Sequence, residues 1–193
     1  EFPYPAPISD ALAAFRYAQE HAGALGADPA RVAVGGDSAG ANLATYVSRH
    51  TRNDRPPYAQ ILIYPVTNRD MSSPSRQLFS QGFFLTLADI DWFDRSYCGD
   101  LSNADPDISP LLDPDLSGLC PALLVTAEFD PLRDEGEAYG ARLREAGVPT
   151  VTTRYDGQVH GFVSLFEVFD QGKVATEQIA AAHHREAEPR AGA

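Results

Sequence analysis

Hydrophobic positions along this chain follow two different periods, and the switches between them mark out alternating helices and strands. In "ISDALAAFRYAQEHAGALG" (8–26), Leu12, Phe15 and Ala22 fall near one face of a helix. Ser9 or Asp10 is placed to cap its start, and Gly23 and Gly26 to end it. After a polar turn at 27–30, residues 31–35 read as a strand, followed by an alanine-rich helix over 38–50. "AQILIYPV" (59–66) and "PALLVTAEFD" (121–130) are short, continuous apolar runs, as expected of strands buried on both faces of a parallel sheet. Residues 134–146 form a helix with Asp134, Glu135 and Glu137 complementing the dipole at its start and Arg142 and Arg144 near its end. "TVTTRY" (150–155) is a more polar last strand suited to a sheet edge, and a final helix covers about 171–186.

Strand and helix alternate, so the fold class is α/β with a mostly parallel sheet of about four strands and flanking helices. A long insert, 67–120, separates the second strand from the third. It carries one convincing helix, "TLADIDWFDRSYCG", in which Thr86 and Asp89 have capping-box spacing and Ile90, Phe93 and Tyr97 share a face. An insert of this length within a compact domain is functional or disordered, and its aromatic residues favour function on the substrate side. Phe83, Phe84, Trp92, Phe93 and Tyr97 are candidates for a pocket wall; packing the insert's helix down is the other role open to them.

Composition narrows the function. The 193 residues are 44% hydrophobic, enough for one domain spanning 1–193 with a real core. Twenty-seven acidic against 15 basic residues give a net charge of -12, which argues against a nucleic-acid partner. No apolar run approaches the ~18 residues of a membrane span. Cys98 and Cys120 match no zinc or redox spacing and read as reduced thiols. The chain opens on Glu1 without a charged-then-apolar leader, and any signal peptide lies outside this sequence; a cytoplasmic setting is the expectation, and "REAEPRAGA" ends the chain as a tail frayed over 187–193.

The chemistry concentrates in "RVAVGGDSAGANLA" (31–44), where a strand turns through Gly36 and Asp37 to Ser38 and runs into a helix. With glycine at about 7% of residues, Gly-x-Ser-x-Gly arises by chance in roughly one chain of this size in twenty, so the flanking strand and helix carry the weight. In such an elbow the serine takes a strained backbone conformation, Gly36 and Gly40 meet a steric need two places to either side, and the N–H of Ala39 faces a developing oxyanion. A serine hydroxyl needs a base, and the base an orienting carboxylate, each on a loop after a later strand. His21 and His50 belong to helices that precede the later strands, and His183 and His184 to the polar C-terminal helix. His160, five residues beyond the last strand in "YDGQVHGF", is the candidate base. Asp130, ending the third strand in "TAEFDPLRDEG", is the candidate acid ahead of Glu128, Asp134 and Asp156.

"GDSAG", "DPLRDEG" and "HGF", in this order, resemble the bacterial hormone-sensitive-lipase-like esterases of the α/β-hydrolase superfamily. The segments at 1–22 and 107–150 resemble that family too, and the similarity weakens after about Leu165. The resemblance implies Ser38 as nucleophile, Asp130 as acid and His160 as base in a serine carboxylesterase acting on short- to medium-chain acyl esters, with no metal or cofactor. Family members carry an upstream His-Gly-Gly-Gly stretch that completes the oxyanion hole, and "HGGG" is absent from this sequence. The chain is therefore expected to be the C-terminal part of such an enzyme. In that case the first strand is an open edge, and the isolated chain is expected to be poorly soluble or to self-associate through it. The alternatives are a catalytically incomplete fragment, a related acyl hydrolase (lactonase, amidase or deacetylase), and a non-catalytic binding protein on the same fold. The gibberellin receptors resemble the family without the histidine, so His160 counts against the last.

Overall fold

The computed structural model describes residues 2–99 and 101–187, the side chains of 183–187 excepted. The frayed tail expected at 187–193 lies outside them beyond Ala187. Four strands, β1 (Val34–Asp37), β2 (Gln60–Ile63), β3 (Ala122–Phe129) and β4 (Thr150–Val159), form one sheet in the order β1-β2-β3-β4. Every pairing is parallel. Among the described residues six α-helices accompany them: α1 (Ala6–His21), α2 (Ala39–Thr51), α3 (Pro74–Leu78), α4 (Leu87–Cys98), α5 (Arg133–Glu145) and α6 (Asp170–Ala187). None is long and apolar enough to cross a membrane among the described residues.

The strands' side-chain alternation divides the core. Leu62 and Leu124 point to the face covered by α2 and α5, where they pack with Ala41, Ala44, Tyr139 and Leu143. Leu123 and Val125 point to the other face and join Tyr155, Phe162 and, from α6, Ala175. Both faces of β2 and β3 are thus covered, which is why their sequences read as unbroken apolar runs. β4 is an edge strand of the described sheet and leaves Val151 exposed, in keeping with its polar sequence. β1 pairs with β2 alone among the described residues.

Several boundaries differ from the sequence reading for local reasons. Helix α1 starts at Ala6, with Pro5 at its cap position; Ser9 lies inside it and donates its hydroxyl to the carbonyl of Pro5. Residues Pro29–Arg31 form a 3-10 turn held by the Asp28 carboxylate, so the first ladder begins at Val34 rather than Arg31. Strand β2 stops at Ile63 because Tyr64 takes a positive φ of 32°. Strand β4 runs on to Val159 through a bulge, with Gly157 at φ 76° and its N–H bound by Glu128 Oε2 at 2.6 Å.

The insert is ordered and stitched down. The capping box of Thr86 and Asp89 opens α4, and a second helix, α3, precedes it. From α2, Arg49 donates through Nε to Asp113 at 2.6 Å and through Nη1 to the Pro106 carbonyl at 2.8 Å; Arg142 of α5 holds the Asp113 carbonyl at 2.7 Å. Cys98 and Cys120 are buried and free, and burial pushes each thiol up to about 11.

Candidate active site

The turn from β1 into α2 sets the geometry. Ser38 has φ 54° and ψ -117°, a conformation that costs a non-glycine residue about 1–3 kcal/mol and persists because its surroundings over-determine it. Its N–H donates to the Ile63 carbonyl at 2.8 Å, and its own carbonyl accepts from Asn42 and Val66, both at 3.3 Å. The Asn42 side chain in turn donates to the carbonyls of Val66 (2.9 Å) and Ile108 (3.1 Å), binding the helix start to both ends of the insert. Ala39 is the first residue of α2, so its N–H has no intrahelical acceptor.

The two flanking glycines are not equivalent. A Cβ on Gly36 would lie 2.4 Å from the Gly40 carbonyl carbon and 2.8 Å from the Ala41 nitrogen, an impossible approach to backbone. A Cβ on Gly40 would meet nothing nearer than Asp37 Oδ1 at 3.9 Å. The steric need expected of both falls on Gly36 alone. Gly40 lies on the open side of the first turn of α2.

Strand register brings the other two candidates together. Phe129 pairs with Val159, so the next residue on each strand, Asp130 and His160, leaves the sheet beside the other. His160 thus follows β4 directly, not five residues beyond it as read from sequence, because the bulge at Gly157 prolongs the strand. Asp130 is fully buried: Oδ1 accepts the Leu132 N–H at 2.8 Å, and Oδ2 lies 2.7 Å from His160 Nδ1. His160 Nε2 lies 3.0 Å from Ser38 Oγ. With a carboxylate on one side, the imidazole carries its proton on Nδ1 and presents Nε2 as an acceptor to the hydroxyl. Of the histidines weighed from sequence, His50 pairs with Asp107 and His21 bonds the Tyr17 carbonyl. The side chains of His183 and His184 lie outside the described residues. Glu128 holds the Gly157 N–H, and Asp134 binds the Ser75 N–H.

The imidazole spans the sheet between strands that are not neighbours, and it needs a floor. Tyr64, 1% exposed at the end of β2, supplies one: its ring centre lies 4.6 Å from that of His160. Its hydroxyl bonds Ser164 Oγ at 3.2 Å, and Ser164 donates to Asp37 of the elbow.

A second buried network went unread in the sequence. Glu135 is not a surface complement to the α5 dipole. Its Oε1 accepts the N–H groups of Thr67 (2.9 Å) and Asn68 (3.1 Å), and its Oε2 takes Arg76 Nη2 at 2.7 Å. Burial pushes the Glu135 carboxyl up to about 7, against the pull of Arg76 and the two N–H groups. Ser75 donates to the Pro131 carbonyl at 2.8 Å and accepts the Asp134 N–H at 3.2 Å. The turn that carries Asp130 is thereby fastened to the insert. Acidic residues at a helix start look alike in sequence whether they face water or a buried arginine, and a buried partner 59 residues away leaves no local signal.

In front of Ser38 and His160 lies a cavity of about 730 Å³, within the range of small-molecule sites. The insert builds much of it. Phe84, Phe93 and Tyr97 line the wall, whereas Phe83 stacks on Phe129 and Trp92 is exposed with its ring against Phe93. The pocket wall thus falls to three of these aromatics, Phe83 fastens the insert to β3 instead, and Trp92 takes neither of the roles left open. Among the described residues, no cluster of three His, Cys, Asp or Glu side chains could hold a metal ion.

A family model described as alpha/beta hydrolase fold matches residues 1–164. The chain belongs to the alpha/beta hydrolase fold family. It is 47% identical to carboxylic ester hydrolase LipN of Mycobacterium tuberculosis, across 94% of this chain and 51% of LipN. It is 37% identical to an ethyl acetate hydrolase of Pseudomonas putida, across 93% of this chain and 59% of that protein. The crystal structure of EstE1, a thermophilic carboxylesterase from a metagenomic library, superposes with a TM-score of 0.92 at 41% identity, covering 97% of this chain and 66% of EstE1. The chain spans just over half the length of these two curated relatives.

The elbow geometry predicts unequal effects of two similar substitutions. Gly36→Ala should lower unfolding free energy by about 1–3 kcal/mol through overpacking against the α2 backbone. Gly40→Ala should stay within about 0.5 kcal/mol or stabilise, since alanine is the better helix former by up to about 1 kcal/mol. Urea unfolding of the two variants beside the parent checks this, and equal losses would contradict it.

Proposed function

We propose that this chain carries the catalytic half of a serine carboxylesterase for short- to medium-chain acyl esters, with Ser38 as nucleophile, His160 as base and Asp130 as the acid that orients it. The observation that carries this reading is the unbroken Asp130–His160–Ser38 contact chain, 2.7 Å and 3.0 Å, opening on one cavity. Carboxylesterase, arylesterase and ethyl acetate hydrolase relatives support it.

The chemistry follows from the contacts. Ser38 Oγ attacks the ester carbonyl carbon while its proton moves to His160 Nε2, and Asp130 stabilises the imidazolium that forms. The developing oxyanion meets the Ala39 N–H at the start of α2, where the helix dipole also favours negative charge. Collapse breaks the bond to the alcohol oxygen, which leaves with the proton from His160. Water, deprotonated by the same nitrogen, then releases the acid and restores Ser38. No metal or redox group takes part in this scheme.

A second reading within the same family, a catalytically incomplete piece, is favoured by two observations. The chain spans just over half of LipN and of the ethyl acetate hydrolase, and β1 has a single partner strand among the described residues. Under either reading the outer edge of β1, which has no partner strand among the described residues, offers backbone N–H and C=O groups to a second copy of this chain. Sedimentation should show concentration-dependent association, and a monomer at all concentrations would contradict that edge pairing. Two buried, unpaired thiols suit a reducing, cytoplasmic setting, which we include in the proposal.

Hydrolysis of p-nitrophenyl butyrate by the 193-residue chain, beside Ser38→Ala, tests the reading. The expected result is turnover that falls at least about a thousandfold in the variant. Equal rates would remove Ser38 from the mechanism. No turnover in either chain would favour the incomplete piece.

A further inference from the structure

The cavity in front of Ser38 is walled largely by apolar side chains, among them Phe84, Leu85, Ile90 and Phe93, yet a cation is buried in it. Arg69, in the insert beyond β2, is 7% exposed. Nε and Nη1 of its guanidinium are sealed from solvent with no well-formed hydrogen bond among the described residues. The nearest carboxylate, Asp94 on α4, stands off at 3.5 Å from Nε as a loose ion pair. Arg76, in the same insert and fully buried, shows what a structural arginine does here: it bonds Glu135, the Asn68 carbonyl and the Met71 sulfur. Burying a guanidinium costs stability unless its donors are used, so Arg69 contributes little to folding for what its burial costs. With Nε and Nη1 sealed, Nη2 is the donor left to meet a ligand.

We propose that Arg69 binds a neutral carbonyl oxygen of the substrate remote from the scissile ester, so that the preferred substrates are esters bearing a second carbonyl. The proposal deepens the esterase reading and rests on it. Charge selects the neutral acceptor. Asp89 and Asp94 line the same cavity against the single cation Arg69, so a free carboxylate would enter a site already negative, whereas a ketone or second ester carbonyl brings a lone pair without charge. A planar, permanently charged donor also holds a carbonyl lone pair in a fixed direction. The apolar wall takes the chain between the two carbonyls.

The test reads binding rather than turnover, so the subsite and the esterase reading can fail separately. In Ser38→Ala, which cannot form an acyl-enzyme, phenyl hexanoate is titrated beside its 4-oxo and 5-oxo derivatives, with affinities followed by NMR. At least one oxo ester should bind about tenfold more tightly than phenyl hexanoate, as expected of a hydrogen bond to a charged donor. Adding Arg69→Met should bring the ratio to within about twofold. Arg69→Lys, which keeps a charge beside Asp94 and guards against a misfolded methionine variant, should cut the ratio at least threefold. No oxo preference in Ser38→Ala, or a preference that survives both Arg69 substitutions, would overturn the proposal. Hydrolysis of phenyl hexanoate by the parent chain reports on the esterase reading alone.

Discussion

Parallel pairing of β3 with β4 governs everything chemical in this molecule. Ladder hydrogen bonds set Phe129 opposite Val159, and the chain leaves both strands at the next residue, so an acid and an imidazole emerge side by side from segments 30 residues apart. A slip of one residue would turn one of the two side chains to the opposite face of the sheet and separate the pair. The bulge at Gly157 corrects the register just before that point: between the pairs Ala127–Tyr155 and Phe129–Val159 it gives β4 two more residues than β3, while Glu128 of β3 ties down the Gly157 N–H. Register is in turn fixed by burial, because Leu124 belongs to one face of the core and Leu123 and Val125 to the other.

The serine approaches from the far side of the sheet under a different constraint. Its positive φ is held by backbone bonds to Ile63 of β2, to Val66 just beyond it and to Asn42 of α2, and is permitted by the missing Cβ at Gly36. The insert then does two jobs at once. Through Ser75, Arg76 and their partners Asp134 and Glu135 it pins the turn behind Asp130, and through Arg69, Phe84 and α4 it walls the cavity. The placing of Asp130 and the shape of the cavity thus depend on one segment, and a change in either part of it reaches the other.

Much of this was legible in the sequence, for identifiable reasons. Apolar runs at 59–66 and 121–130 marked buried parallel strands because both faces of β2 and β3 are covered. Ser38, Asp130 and His160 could be picked out because each follows a strand and the fold demands that order. What escaped depended on three dimensions. The length of β4 was underestimated because Asp156 and Gly157 look like a loop when the bulge partner is unseen. Gly40 was given a steric role that geometry assigns to Gly36. Glu135 reads from sequence as a dipole complement, and nothing local marks Arg69 or Arg76, because burial of a charge is a property of distant neighbours and not of local pattern.

The claim on which the account stands is that this chain alone holds His160 between Asp130 and Ser38. Nitrogen-15 NMR of the His160 side chain in the purified chain tests it most directly. The account predicts a neutral ring protonated at Nδ1, with that proton shifted far downfield by Asp130 and the signal lost in Asp130→Ala. A ring protonated at Nε2, or one indifferent to Asp130→Ala, would contradict it.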